Sequence, residues 1–179
     1  MLNVISGLLS GAGAPASTTS YESIATSTGG GASITFSSIP STFKTLQIRG
    51  IASTGAGGYI KVTFNGDTGA NYSWHEIYAN GSTVTAAGGG SKNFIIADEV
   101  LTATASVYGA FVMDVIDYAN TSKNKTLRNL GGQDSNGSGY MVPTSGAWFN
   151  TAAITSITIT PVSGTFASNT HIALYGIKG

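Results

Sequence analysis

Apolar and polar residues alternate one by one along several short stretches of this chain. Ile60, Val62 and Phe64 are separated by single residues of a more polar kind, and Ile157 and Ile159 are separated in the same way further along. Successive side chains of a β-strand point to opposite faces, so this alternation predicts strands with one buried face. No window of adequate length combines a 3.6-residue period with good helix formers.

Such segments recur about ten times, separated by residues that favour turns, mainly glycine, serine and threonine. Many short strands at regular spacing predict an all-β fold, a two-sheet antiparallel sandwich of jelly-roll type. We expect a single sandwich domain over residues 21–179, a length sufficient for one hydrophobic core. The pattern does not predict the order of the strands.

Glycine and asparagine clusters predict the local connections. Residues 59–78 read as two antiparallel strands joined by a tight turn at Asn65-Gly66, and Gly29-Gly30-Gly31 suits another hairpin loop. Residues 86–91 are almost all glycine and alanine, which favours a mobile loop. The segment Val107–Asp117 is apolar on both faces for much of its length, as expected for a central strand covered on both sides or for one at a subunit contact.

The first twenty residues differ from the rest of the chain. A short apolar run precedes a stretch of Gly, Ala, Pro, Ser and Thr, and its members are Leu2, Val4, Ile5, Leu8 and Leu9. A signal peptide is one interpretation, but no Lys or Arg occurs before Lys44, so the positive n-region is missing. We therefore favour a flexible N-terminal arm over residues 1–20, whose apolar side chains contact a partner subunit.

The composition indicates a surface that is covered by other subunits. Charged residues make up 9% of the chain, and eight Lys and Arg balance eight Asp and Glu, whereas an ordinary soluble domain is roughly 25% charged. Such a surface protects poorly against association, so we expect a homo-oligomer. Only Lys123, Lys125 and Arg128 cluster in sequence, and a solvated loop explains them better than a nucleic-acid site. Cysteine is absent and no apolar run has the length of a membrane-spanning helix.

Few residues offer catalytic or metal-binding chemistry. Asp67-Thr68-Gly69-Ala70 matches the string around the catalytic aspartate of aspartic proteases, but it follows turn residues and not a buried strand. His75 and Glu76 are neighbours on opposite faces of one strand, and His171 lies about a hundred residues away. We therefore predict a non-enzymatic protein with no catalytic residue, cofactor or metal.

Aromatic residues leave two interpretations open. Stacking of aromatic rings in an exposed patch would suit a carbohydrate-binding surface, and the candidates are Tyr72, Trp74, Tyr78, Tyr140 and Trp148. Packing in the core or at a subunit contact is the alternative for most of them.

Several strings resemble a known family. FNGDTGANYSWHEIY at 64–78, with SITFSSIPSTFKTLQIRG before it and TSITIT and the terminal IALYGIKG after it, is similar to small structural proteins encoded by tailed bacteriophages. The likeness covers residues 21–179 and includes no catalytic motif.

The resemblance implies a protein of the virion, either of its head or of its tail. We expect a capsid decoration or cement protein that forms a homo-oligomer, a trimer, and contacts the major capsid protein or other virion subunits. Neither nucleic acid nor a membrane is an expected partner. A tail or fibre component and a carbohydrate-binding receptor module are the alternatives.

Overall fold

The structure, a computed structural model, describes residues 19–179, without the side chains of residues 98–100. It contains no helix within that range, and its strands form two antiparallel sheets. The strands are β1 Tyr21–Thr28, β2 Ile34–Phe36, β3 Thr45–Ala52, β4 Gly58–Phe64, β5 Tyr72–Ala79, β6 Val84–Lys92, β7 Ile95–Leu101, β8 Gly109–Ile116, β9 Lys125–Asp134, β10 Gly139–Trp148, β11 Ile157–Pro161 and β12 His171–Ile177. The predicted all-β sandwich is confirmed.

Eight strands are connected as a jelly roll. Strand β1 pairs with β12, β2 with β11, β3 with β8 and β4 with β7, so that each pair is nested inside the previous one along the chain. Rolling up this nested ribbon places β1-β12-β3-β8 in one sheet and β2-β11-β4-β7 in the other. The predicted jelly-roll type is therefore also confirmed.

The other four strands widen the first sheet. Strands β5 and β6 are inserted between β4 and β7, and β9 and β10 between β8 and β11. They continue the first sheet in the order β8-β9-β10-β5-β6, which gives it eight strands. Strand β7 of the four-stranded sheet packs over β9 and β10, while β6 forms the far edge of the larger sheet.

The core lies between the two sheets and follows the alternation of the sequence. Ile60, Val62 and Phe64 of β4 are fully buried, as are Ile157 and Ile159 of β11. They face the apolar residues of the larger sheet, which include Leu46, Ile48, Met113, Val115, Ile172 and Leu174. Each such side chain contributes about 1.5–3 kcal/mol to folding when it leaves water.

The predicted hairpin over residues 59–78 is wrong, although its turn is correct. Asn65 and Gly66 have φ angles of 52° and 68°, and the Asp67 amide donates a 2.9 Å hydrogen bond to the Phe64 carbonyl. Strand β4 pairs with β11 on one side and with β7 on the other, so no position beside it is left for β5. The chain therefore crosses to the other sheet after the turn, and β5 pairs with β10 and β6. The strands on either side of Gly29-Gly30-Gly31 likewise belong to different sheets.

Two further segments differ from expectation. Residues 86–91 are not a loop, because they form most of β6, which pairs along β5. Strand β8 is central in its sheet, yet only one of its faces is covered, with Phe111 and Val115 pointing into the core. Its other face carries Ile116, which is half exposed. The alternative of a subunit contact at β8 stays a prediction.

The proposed N-terminal contact residues lie outside the described residues. These are Leu2, Val4, Ile5, Leu8 and Leu9. Strand β1 begins at Tyr21, the first residue of the expected sandwich.

Candidate functional site

The carboxylate of Asp67 is occupied by structural hydrogen bonds. It accepts hydrogen bonds from Trp148 Nε1 at 2.7 Å, from Asn71 Nδ2 at 2.9 Å and from the Gly69 amide at 2.8 Å. These bonds, above all the one from Trp148, hold the pKa of Asp67 below its usual range. An aspartic protease needs a carboxylate that shares a proton with a second carboxylate. The partners of Asp67 are instead an indole and two amides, which suit a structural turn.

Two of the five candidate aromatic residues belong to the core and not to an exposed patch. The rings of Tyr72 and Trp148 stack at 6.2 Å, and both pack against Phe64. Both side chains are almost completely inaccessible. Burial raises the pKa of Tyr72 to about 12, and its hydroxyl donates to the Asp67 carbonyl and accepts from the Phe64 amide.

The other three aromatic residues do not form a platform either. Trp74 is partly buried against the core. Tyr78 and Tyr140 meet edge to face at 6.3 Å, and Tyr140 is exposed. The structure therefore separates the predicted patch into core residues and one surface pair of tyrosines. The sequence does contain a signal that Trp148 is buried. An even number of positions separates it from Val142 in β10, so both side chains point to the same, buried face of the strand.

The three clustered basic residues have separate structural environments. Lys125 is buried at the start of β9, and its Nζ donates to the carbonyls of Lys123 and Thr151 at 2.8 and 2.9 Å. Burial lowers the pKa of Lys125, and the Lys123 charge adds to that effect. Lys123 pairs with Asp117, while Arg128 lies within β9. The expected solvated loop is thus wrong for Lys125 and Arg128.

The histidines do not converge on a metal site. His75 is exposed and Glu76 is buried, as expected for neighbours on one strand. His171 lies on β12, five strands away from β5 in the same sheet, or about 24 Å at the usual strand spacing. The described part of the chain contains no group of three or more His, Asp or Glu side chains placed to hold a metal ion. No helix among residues 19–179 is long and apolar enough to cross a membrane.

The outer face of the eight-stranded sheet is the most distinctive surface of the molecule. Residues paired across neighbouring antiparallel strands point to the same face, so the register assigns each side chain. Six of the eight large apolar side chains that are exposed in the described chain lie on this face. They are Ile51, Ile77, Val84, Ile116, Leu130 and Met141. We call this the open face.

Five of these six residues lie in two adjoining rows, and Ile116 stands apart from them beyond Asp114 and Arg128. In the first row Leu130 pairs with Val112 on one side and with Pro143 on the other, and Ile77 pairs with Ala86. The second row includes Met141, Gly132, Ala110 and Ile51, with Ala79 and Val84 at its outer end. Met141 is 60% exposed and Val84 is 74% exposed. This patch spans the full width of the strands from β3 to β6.

A polar network borders the apolar rows on the same face. Asp114 accepts from Arg128 Nε at 3.2 Å and from Gln47 Nε2 at 2.7 Å. The Arg49 guanidinium lies 5.0 Å from the ring centre of Tyr21 and donates to Gln47 Oε1. The open face therefore combines an apolar half with an ordered polar half, which is the composition of a protein–protein contact with an apolar centre and a polar rim.

An open hollow of about 710 Å³ lies at one end of the larger sheet. It is bordered by the loops after β5 and β9, and Tyr108 and Tyr140 provide its aromatic surface. Asn80 and Asp134 also line it, but their side-chain oxygens accept hydrogen bonds from the amides of their own turns. The side-chain oxygens of Asn80 and Asp134 thus already serve local structure.

The fold and this surface define a jelly-roll sandwich with a widened, partly apolar sheet. Comparison with protein-family models and with curated proteins finds no match for this chain.

Proposed function

We propose that this chain is a non-enzymatic structural protein of a bacteriophage virion, a capsid decoration or cement protein. Its open face contacts neighbouring virion subunits, foremost the major capsid protein. The observation that carries the proposal is the patch of five exposed apolar side chains in two adjoining rows on one face of one sheet. Contiguous apolar patches on a soluble chain mark sites of association. The sequence resemblance to phage structural proteins supplies the kind of partner.

The strength of such a contact fits a role that uses many copies. Fully burying an aliphatic side chain contributes about 1.5–3 kcal/mol, and these side chains are between 44% and 74% exposed, so each adds roughly half of that or somewhat more. Association itself costs several kcal/mol in lost freedom of motion. One open face therefore binds modestly, and an oligomer that presents several faces binds firmly through effective concentration. The expected N-terminal arm and homo-oligomer belong to the same proposal.

The position of the aromatic residues supports assembly over receptor binding. A carbohydrate-binding module exposes several aromatic rings in one patch, whereas Tyr72 and Trp148 are buried here. The hollow beside Tyr108 and Tyr140 is the one observation that favours glycan binding. Titration of the purified protein with host-surface glycans tests this alternative, and saturable binding that is lost in Tyr140→Ala would support it.

The decisive experiment places a charge on the open face. Leu130→Glu puts a carboxylate in the middle of the apolar rows, and Thr35→Glu puts the same group on exposed β2 of the other sheet. We expect particle occupancy to fall at least tenfold for Leu130→Glu when virions lacking the protein are incubated with each variant. Thr35→Glu should bind as the unaltered chain does. Equal occupancy of the two variants would contradict the proposal.

Copy number separates the head from the tail. Hundreds of copies per particle in a virion reconstruction would support the decoration role. A handful of copies would instead support a tail or fibre component, and absence from the virion would reject both.

A further inference from the structure

Strand β6 is the least protected edge of the two sheets. It is the last strand of the eight-stranded sheet and, within residues 19–179, it pairs only with β5. Residues 84–89 pair with β5 in one continuous register, with a bulge only beyond Gly89. This stretch reads VTAAGG and contains neither a charge nor a proline. A regular edge of this kind presents unpaired N–H and C=O groups to any added strand.

The other three edges carry the features that prevent strand addition. Strand β1 has a bulge at Ser23/Ala25 and an ion pair between Glu22 and Lys178. Strand β2 has only three residues. The pairing of β7 with β4 is interrupted twice, and β7 also packs over β9 and β10. The contrast singles out β6, because bulges, charges and short length are the usual means of protecting an edge.

We propose that β6 pairs antiparallel with β6 of a second copy of this chain, so that the two larger sheets join edge to edge. This inference rests on the homo-oligomer of the proposed function but not on its attachment to a virion. It differs from the expected trimer, since an antiparallel pair of identical edges closes at two copies.

Charge and side-chain size select a second copy as the occupant. The first charged residue of the strand is Lys92. Antiparallel pairing centred on Ala86, so that Ala86 lies opposite its own counterpart, separates the two Lys92 side chains by about 40 Å at 3.4 Å per residue, whereas parallel pairing would place them side by side. Residues 85–89 are Thr, Ala, Ala, Gly and Gly, so few side chains along this edge can distinguish one partner sequence from another. The chain has no net charge, so copies do not repel one another.

Joining the edges also extends the open face. Val84 and Ala86 lie on that face and pair with Ala79 and Ile77 of β5. Edge-to-edge pairing therefore brings the apolar rows of two copies together into one surface. A pair presents twice the apolar width to a third partner, and Val84, the most exposed large apolar side chain among those that the structure describes, becomes part of its centre.

A charge-swap experiment on the purified full-length chain tests the proposal. Ala86 is exposed, so Ala86→Lys and Ala86→Glu should leave the monomer folded, with melting curves as the check. In either variant, two like charges lie opposite or diagonal to each other across the two paired β6 strands. Because these charges repel, we expect the dimer dissociation constant to rise at least tenfold. Mixing the two variants should restore a dimer. Thr26→Lys and Thr26→Glu, on the exposed face of the opposite edge strand β1, are matched controls without effect.

Mass by sedimentation and protection of amides are the readouts. The unaltered chain should have the mass of two copies at micromolar concentration, and about half of the amides of residues 84–89 should exchange more slowly in the dimer than in Ala86→Lys. A monomer at 100 µM, a trimer, or equal dissociation constants for the variants at 86 and 26 would each overturn the proposal. The proposal would also be overturned if deletion of residues 1–18 abolished the dimer while the Ala86 variants did not weaken it. This experiment uses no virion. A negative result would therefore reject the β6 dimer without deciding whether the open face binds the particle, which the Leu130→Glu experiment measures.

Discussion

The indole Nε1 of Trp148 donates a 2.7 Å hydrogen bond to the carboxylate of Asp67, which lies 81 residues earlier in the chain. Trp148 ends β10 of the larger sheet, and Asp67 follows the turn that ends β4 of the smaller sheet. The bond therefore ties the two sheets together at one end of the sandwich. Its neighbours are the stacked Tyr72 ring and the Tyr72 hydroxyl, which contacts the same turn.

Replacing Asp67 should affect stability and remove no enzymatic activity. In Asp67→Asn an amide N–H₂ group faces donors from Trp148 and Asn71, so at least one hydrogen bond is lost. We expect the free energy of unfolding to fall by about 1–3 kcal/mol, with virion assembly retained at moderate temperature. Denaturant unfolding measures the loss. A proteolytic activity that Asp67→Asn abolishes would contradict the structural assignment.

The same carboxylate should make stability depend on acid pH. Its pKa in the folded chain is below the ordinary value of 3.8, so the ionised form stabilises the fold. That contribution is present above the unfolded-state pKa and is lost as pH falls through the folded-state pKa. The thermal midpoint should therefore decline below about pH 4, and Asp67→Asn should decline less over the same range. Parallel slopes for the two proteins would show that other carboxylates dominate.

Tyr72 should confer sensitivity to alkali. Its pKa of about 12 lies above that of an unfolded tyrosine, near 10. The stabilisation is present below pH 10 and is lost as pH rises towards 12. Tyr72→Phe should remove this titration, seen by tyrosinate absorbance, and cost about 1–3 kcal/mol at neutral pH because two backbone groups lose a partner. The surface variant Tyr140→Phe should change stability by less than about 0.5 kcal/mol.

Lys125 should be required for its hydrogen bonds and not for a binding role. Lys125→Met keeps the aliphatic stem but leaves the carbonyls of Lys123 and Thr151 without their donor. Hydrogen bonds from charged groups contribute about 1.5–3 kcal/mol, and relief from burying an ammonium group offsets part of this. We expect a loss of about 1–2 kcal/mol in unfolding free energy. Lys123→Met, which removes an exposed ion pair with Asp117, should cost less than Lys125→Met, because water screens exposed ion pairs.

Deleting residues 1–18 should separate attachment from folding. The two sheets and their core are built from residues 21–177, so we expect an unchanged thermal midpoint for the truncated chain. We also expect lower occupancy on the virion, because the apolar run with Leu2 and Leu8 is assigned to a partner subunit. Melting curves and particle incorporation of both forms are the measurements. Unfolding of the truncated chain would place the segment in the core, and normal incorporation would remove its role as an anchor.

Alternation in the sequence determined which residues are buried and which class of fold results. Ile60, Val62, Phe64, Ile157 and Ile159 occupy the positions that their spacing predicts, because a two-residue period specifies the face of a strand directly. The same period carries no information about which strand lies alongside. The jelly roll pairs β1 with β12 and β4 with β7 across long stretches of chain, so the local turn signals at Gly29 and Asn65 predict hairpins that do not form.

Only the tertiary structure decided the features that concern association. Residues 86–91 have no hydrophobic pattern, yet they belong to a strand, because β5 offers residues 86–89 a row of backbone partners that glycine and alanine satisfy as well as larger residues. The sequence leaves open whether Trp148 and Tyr72 lie on the surface or in the core, and they become core residues when β10 and β5 pair beneath Phe64. The open face arises in the same way. Leu130 and Met141 are far from Ile51 along the chain, and the register of β3, β8, β9 and β10 gathers them on one surface that no periodicity within a single strand specifies.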